Sequence, residues 1–237
     1  DGAPPLTVTI PVDSPRSGLV PLALLPDGGE RVIPKSAVSE EGVAFLCHAT
    51  CSLRIADQDK TFSDMDGRSW AKDAVTFVAA RGLLGGMTET TFWPDGGMSR
   101  GMLATVLHRL ESCPAAQGDG GFDDLAANRY YSEAAAWAAE NELIRGIGPD
   151  FAADRPVSRE QLVTILHRYA GSPSAAGQSV LPSNAEPSDW ALPAVRWARE
   201  KGLLTGRPDG SLDLKSPVTR AEAAVMLERL VVQLLAV

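Results

Sequence analysis

Apolar residues return at helical spacing in three places. Trp70, Ala74, Phe77 and Val78 stand at i, i+4, i+7 and i+8, which is one face of an amphipathic helix predicted to run to about Arg81. Tyr130, Ala134, Trp137 and Ala138 repeat that face, and Trp190, Ala194, Trp197 and Ala198 repeat it again, each copy 60 residues after the last. All these positions, the leading aromatics included, are expected to be core. Gly82-Leu83 and Gly202-Leu203 read as helix ends, where glycine takes the left-handed conformation and the next apolar residue folds back; Asn141-Glu142 replaces them in the middle copy. A turn-rich loop follows, clearest as Gly206-Arg207-Pro208-Asp209-Gly210-Ser211. It ends in an apolar plug at Phe92, Phe151 or Leu212, eight residues before an arginine. A second stripe then begins at Ser99-Arg100, Ser158-Arg159 and Thr219-Arg220: Leu103, Val106, Leu107 and Leu110; Leu162, Ile165, Leu166 and Tyr169; Ala223, Met226, Leu227 and Leu230.

Each copy is therefore predicted to be helix, loop, helix. Two short helices bury too little alone, so the three copies must pack together, most simply about a pseudo-threefold axis. The segments 113–121 and 171–184, rich in Gly, Ser, Pro, Ala and Gln, read as linkers between separate beads. Ahead of the repeats the period changes. Leu6-Thr7-Val8-Thr9-Ile10 alternates, 18–25 is an apolar run closed by the turn signal Pro26-Asp27-Gly28-Gly29, and 30–33, 43–46 and 52–55 are further short candidates. The expected fold class is mainly α with a small N-terminal antiparallel β domain. The divisions are 1–61 for that domain, serving as a spacer, 62–120, 121–183 with its linker, and 184–237.

Composition narrows the chemistry. Of 237 residues, 44% are hydrophobic and 22% charged, as in an ordinary globular chain. The formal charge of -8 disfavours nucleic acid and anionic membranes, which need a continuous basic surface. No run of eighteen apolar residues offers a membrane span, and an opening of Asp1-Gly2-Ala3-Pro4-Pro5 shows no leader and suggests a C-terminal piece of a longer protein. Three cysteines match no zinc spacing; Cys47 and Cys51 close a small hairpin by a disulfide or remain two thiols, and the lone His48 between them lacks a second ligand nearby. Neither metal nor cofactor is expected.

The arginines need a separate account. Ser158-Arg159-Glu160-Gln161 and Thr219-Arg220-Ala221-Glu222 satisfy the capping-box pattern. Yet a cation in the first turn of a helix opposes the macrodipole, at a cost of a few tenths of a kcal/mol. Arginine beside free helix N-terminal amides makes a carboxylate or phosphate receptor. The alternative is an interfacial ion pair with a carboxylate of the neighbouring copy, such as Asp64 or Asp124. The receptor reading is the favoured one, and both stay open on the residues alone. Catalysis has little support: there is no nucleophile elbow, no H-E-x-x-H and no Walker loop. His108 and His167 sit at matching places, but Glu228 stands there in the third copy, and exposed helical residues are the simpler explanation.

These residues resemble the S-layer homology domains. The resemblance spans 62–235 and rests on Phe62-Ser63-Asp64 and Phe122-Asp123-Asp124, the Trp70-Ala71 and Trp190-Ala191 starts, the loop at 206–211, and Val218-Thr219-Arg220-Ala221-Glu222. It implies a central helical bundle with ligand grooves between adjacent repeats. It also implies noncovalent attachment of a bacterial surface protein to the cell wall, outside the cell, through secondary cell-wall polysaccharide, often bearing pyruvate ketals, or through peptidoglycan. The glycan-binding candidates are Arg100, Arg159, Arg220, Ser158, Thr219, Glu222, Asp64, Asp124, Trp70, Tyr130, Trp190, Gly86, Gly146 and Gly206. Departures at Ser99-Arg100-Gly101-Met102, at Tyr130 and the shortened loop 145–148, and at the missing Phe-x-Asp of the third copy make three equivalent grooves unexpected. The alternative function is self-association, or association with another surface protein, to build a lattice; an enzyme acting on wall glycans is the least favoured.

Overall fold

A computed structural model describes residues 6–47, 52–177, 180–207 and 209–235. Among the described residues there are six strands: β1 (Leu6–Ile10), β2 (Leu19–Leu24), β3 (Glu30–Val32), β4 (Ser36–Ser39), β5 (Gly42–Cys47) and β6 (Leu53–Asp57). After a 3-10 turn at Ser63–Met65 come six helices: α1 (Ser69–Ala80), α2 (Arg100–Leu110), α3 (Ser132–Glu140), α4 (Arg159–Tyr169), α5 (Leu192–Glu200) and α6 (Arg220–Leu235). With 32% helix and 17% strand, the chain is not the mainly α protein expected. The apolar stripes marked helices correctly, but each repeat spends a long loop between its two, and the N-terminal part is rich in strand. The expected single sheet is two three-stranded antiparallel sheets, ordered β1-β5-β4 and β3-β2-β6. Strand β4 went unread because Ser36-Ala37-Val38-Ser39 is short and has no alternation. Cys51 and His48, on which the disulfide and metal readings fall, lie outside the described residues.

The repeats are not separate beads. Three backbone hydrogen bonds close a ring through the residue that precedes each Ser/Thr-Arg pair. The Met98 N–H donates to Val218 C=O at 3.0 Å, Val218 N–H to Val157 C=O at 2.9 Å, and Val157 N–H to Met98 C=O at 2.9 Å. All three side chains are buried. The helices pair in the same cyclic sense, α2 with α3, α4 with α5, and α6 back onto α1. Linkers are tied down as well: Glu140 accepts the amides of Gln117 and Gly118, and Glu200 those of Ala176 and Gly177. The helix ends follow the sequence, with Gly82, Glu142 and Gly202 at φ 67°, 55° and 69° and Leu83, Leu143 and Leu203 buried behind them.

One expectation about the core fails. Trp70, Tyr130 and Trp190 are 59%, 63% and 54% exposed, while the residue after each (Ala71, Tyr131, Ala191) is buried. The leading aromatic stands at or just before the helix start, where the 3.6-residue period no longer decides which way a side chain points. The β sheets lie against the ends of the helices. Arg81, at the end of α1, is buried and donates to the carbonyls of Ser36 (2.8 Å), Ser17 (3.0 Å) and Leu19 (3.2 Å), with its guanidinium over the Phe77 ring. Lys35 pairs with Glu111 at 2.6 Å, and Glu111 also accepts from the Tyr169 hydroxyl, joining the β domain to α2 and α4.

Candidate functional site

Each arginine sits at the first turn of a second helix, and its neighbourhood is built by the next copy round the ring. The caps form as read: Ser99, Ser158 and Thr219 accept from the amides of Met102, Gln161 and Glu222, with the reciprocal bond completed by Gln161 and Glu222. The remaining amides are not free. Arg100 and Gly101 donate to the carbonyls of Arg155 and Ala153, Arg159 and Glu160 to Ser216 and Leu214, and Arg220 and Ala221 to Gly96 and Pro94. A receptor made of open helix amides is therefore ruled out; the neighbouring repeat occupies them.

Arg100, Arg159 and Arg220 are buried, at 5%, 4% and 2% exposed. Nε and Nη2 of each reach across the interface to main-chain carbonyls: Phe151 and Arg145 for Arg100, Leu212 and Thr205 for Arg159, Phe92 and Gly85 for Arg220. These carbonyls offset the macrodipole, so the arginine is first of all an interface clamp on the plug and loop of the next copy. Burial lowers the Arg100 and Arg220 pKa values below the ordinary guanidinium value. Neither Asp64 nor Asp124 is the ion-pair partner. Asp64 accepts the amides of Phe92 and Trp93, and Asp124 those of Phe151 and Ala152, so both carboxylates pin the plugs. Burial opposes ionisation of Asp64, yet those amides hold its carboxyl below the usual carboxylate range.

Grooves open beside two of the clamps. One, of about 170 Å³, is lined by Arg100, Arg145, Gly146, Gln161, Arg168 and Trp190 among others. The other, of about 380 Å³, is lined by Arg159, Gly206, Arg207, Glu222, Arg229 and Trp70 among others. Their charge differs. In the larger groove Glu222 pairs with Arg159 at 3.0 Å and lies 3.4 Å from Arg207, which also pairs with Asp213 at 2.7 Å. In the smaller groove the position of Glu222 is the neutral Gln161, and of its three arginines Arg145 pairs with the exposed Glu142 at 3.9 Å. Burial and then the like charge of Arg145 push Arg168 below its ordinary value, against the pull of Glu142, and burial and then Arg155 do the same to Arg100 against Asp124.

Arg109, Arg168 and Arg229, nine residues beyond each clamp, were missed in the sequence although they recur with the same steps of 59 and 61. Their Nη1 groups donate to carbonyls just after the first helices, at Leu83, Leu143 and Leu203. Of the residues read from sequence, Arg100, Gly146 and Trp190 meet in one groove and Arg159, Glu222, Gly206 and Trp70 in the other; Tyr130 is exposed beside a third interface. Ser158 and Thr219 are spent as caps. Gly86 and Gly146 are held by packing, since a Cβ there would lie 2.6 Å and 2.5 Å from the Phe62 and Phe122 rings, whereas Gly206, in the copy without that phenylalanine, meets nothing closer than 3.4 Å. His108 and His167 are buried, not exposed: each ring packs on Trp137 or Trp197 and hydrogen-bonds a carbonyl, of Pro114 or Pro173. Among the described residues no group of three potential metal ligands occurs, and no helix is long and apolar enough to cross a membrane.

Three interlocked helix-loop-helix copies with unequal, arginine-lined clefts between them define a tandem-repeat binding module. The chain belongs to the S-layer homology domain family, whose sequence model matches residues 61–101, 121–163 and 185–224, just over half of it. It is 28% identical over 176 residues to an amylopullulanase of Thermoanaerobacterium thermosulfurigenes, covering 72% of this chain and 9% of that protein. It is 28% identical over 193 residues to the surface-layer 125 kDa protein of Lysinibacillus sphaericus (78% and 16%), and 27% over 172 residues to exoglucanase XynX of Acetivibrio thermocellus (70% and 16%). The chain thus spans less than a fifth of each of these relatives. Domains of this family are noncatalytic modules of cell-surface proteins that anchor them at the cell wall.

Proposed function

We propose that this module holds its parent protein to the wall by binding an acidic secondary cell-wall polysaccharide, and that the groove beside Arg100 receives the carboxylate. One observation carries the reading: Arg100, Arg145 and Arg168 converge there without a carboxylate at the position Glu222 takes in the Arg159 groove. An anion entering relieves the mutual repulsion of the cations, and on a chain of formal charge -8 such a spot is selective. Trp190 on the groove wall offers an apolar face to the sugar ring, while the Arg159 groove, its positive charge partly offset by Glu222, is the weaker receptor for an anion.

Binding to purified walls is measured before and after removal of the polysaccharide with hydrofluoric acid, and after mild-acid removal of its ketals. Retention is expected to fall at least about tenfold in both cases, and to weaken with added salt. Arg168→Ala, which spares the buried clamp but removes the donor to the Leu143 carbonyl, is expected to cost roughly tenfold in affinity for untreated wall at temperatures well below a modestly lowered melting point. Equal retention by stripped and intact walls refutes the reading.

A further inference from the structure

Trp93 is the indole that neither the core nor the grooves account for. It follows the plug Phe92 in a turn closed by a 3.0 Å hydrogen bond from Gly96 N–H to Trp93 C=O. The same turn occurs in the other copies, with Ala152 and Asp213 in its place. All three residues are left-handed, at φ 60°, 56° and 47°, so the backbone belongs to the repeat and the side chain is free to vary. For a residue as bulky as tryptophan that conformation is strained, and alanine or aspartate suffices for the fold. The position of Gly96 is Arg155 and Ser216 in the other copies. Glycine stands only where the indole does, because a Cβ at 96 would lie 2.5 Å from the Trp93 ring. The ring therefore lies with one side over the Gly96 backbone, and the residue is 53% exposed. Its backbone is fixed by Asp64, which accepts the Phe92 and Trp93 amides, and its neighbour Asp95 is held in a two-pronged pair by Arg68.

We propose that Trp93 is a stacking platform for a pyranose ring of the wall glycan, a contact outside the inter-repeat grooves and independent of the carboxylate they receive. The electron-rich indole face attracts the weakly positive C–H bonds on one face of a sugar, and the Arg68–Asp95 pair, formed two residues along the same turn, carries donors and acceptors for hydroxyls. A rigid platform loses little entropy on binding, which is what the glycine seat and the carboxylate clamp provide. The proposal rests on the glycan reading above and names a second, neutral contact for the same polymer.

The test uses 5-fluorotryptophan-labelled protein, with Trp93→Phe assigning the resonance, titrated with wall polysaccharide fragments freed of ketals by mild acid. The Trp93 signal is expected to shift and saturate, and Trp93→Ala to lose about three- to tenfold in affinity while Trp93→Tyr keeps most of it. Trp93→Gly, which suits the left-handed backbone, is expected to melt no lower than the parent. A marked drop in its melting temperature assigns the indole to the fold and overturns the platform. So does an unmoved Trp93 resonance together with unchanged binding of intact polysaccharide by Trp93→Ala. Failure of the parent protein to bind intact polysaccharide at all overturns instead the reading on which the platform rests.

Discussion

At the scale of single residues, divergence between the copies is paired across interfaces. Gly101 looks like a defect beside Glu160 and Ala221 until its surroundings are seen: a Cβ there would lie 2.9 Å from the buried ring of Tyr131, which stands where the other copies have Ala71 and Ala191. The large residue of one copy matches the glycine of the preceding one. Gly101→Ala is therefore expected to cost about 1–3 kcal/mol by overpacking, although it restores the motif alanine and favours the helix. Combined with Tyr131→Ala the two changes should be non-additive, which urea melts of the four variants measure. The clamps follow the same logic. Arg159→Ala and Arg220→Ala would each strip donors from buried interface carbonyls and cost roughly 3 kcal/mol, so lost wall binding in those variants is uninformative without a stability measurement.

Among the elements, the three helix pairs solve one packing problem in two ways. At α2–α3 and α4–α5 a histidine lies on a tryptophan. At α6–α1 the corresponding residues are Glu228 and Phe77, with Arg81 laid over the phenylalanine. Burial, and then the nearby Asp73, raise the Glu228 pKa against the opposing pull of Arg81. A carboxyl with a raised folded-state pKa binds more protons folded than unfolded, so its ionisation penalty grows as pH rises above the unfolded value near 4.5 and vanishes below it. Glu228→Gln is accordingly expected to raise the melting temperature at pH 7 and to leave it unchanged at pH 4. A melting temperature lowered at pH 7 would mean that attraction to Arg81 outweighs burial.

Over the whole molecule, the β sheets close the end of the helix assembly where Arg81, Lys35 and Ala37 reach it. Arg81→Met leaves the carbonyls of Ser17, Ser36 and Leu19 without donors and is expected to cost roughly 3 kcal/mol, read as a shift in the urea midpoint. The number of copies, their helices and caps, the left-handed helix ends, the buried plugs and the family were all legible along the chain. Each of those is set by periodicity or by chemistry within a few residues. Long-range packing alone revealed that Trp70, Tyr130 and Trp190 leave the core, that His108 and His167 enter it, and that the helix amides are filled by the neighbouring copy. It alone also showed that both clefts are lined by three arginines, one with Glu222 among them and the other with the neutral Gln161. Those outcomes depend on contacts between residues some 30 to 130 positions apart, such as His108 with Trp137, Arg100 with Phe151 and Arg220 with Phe92, and no local pattern encodes which carbonyl, ring or carboxylate a distant copy will bring to a given side chain.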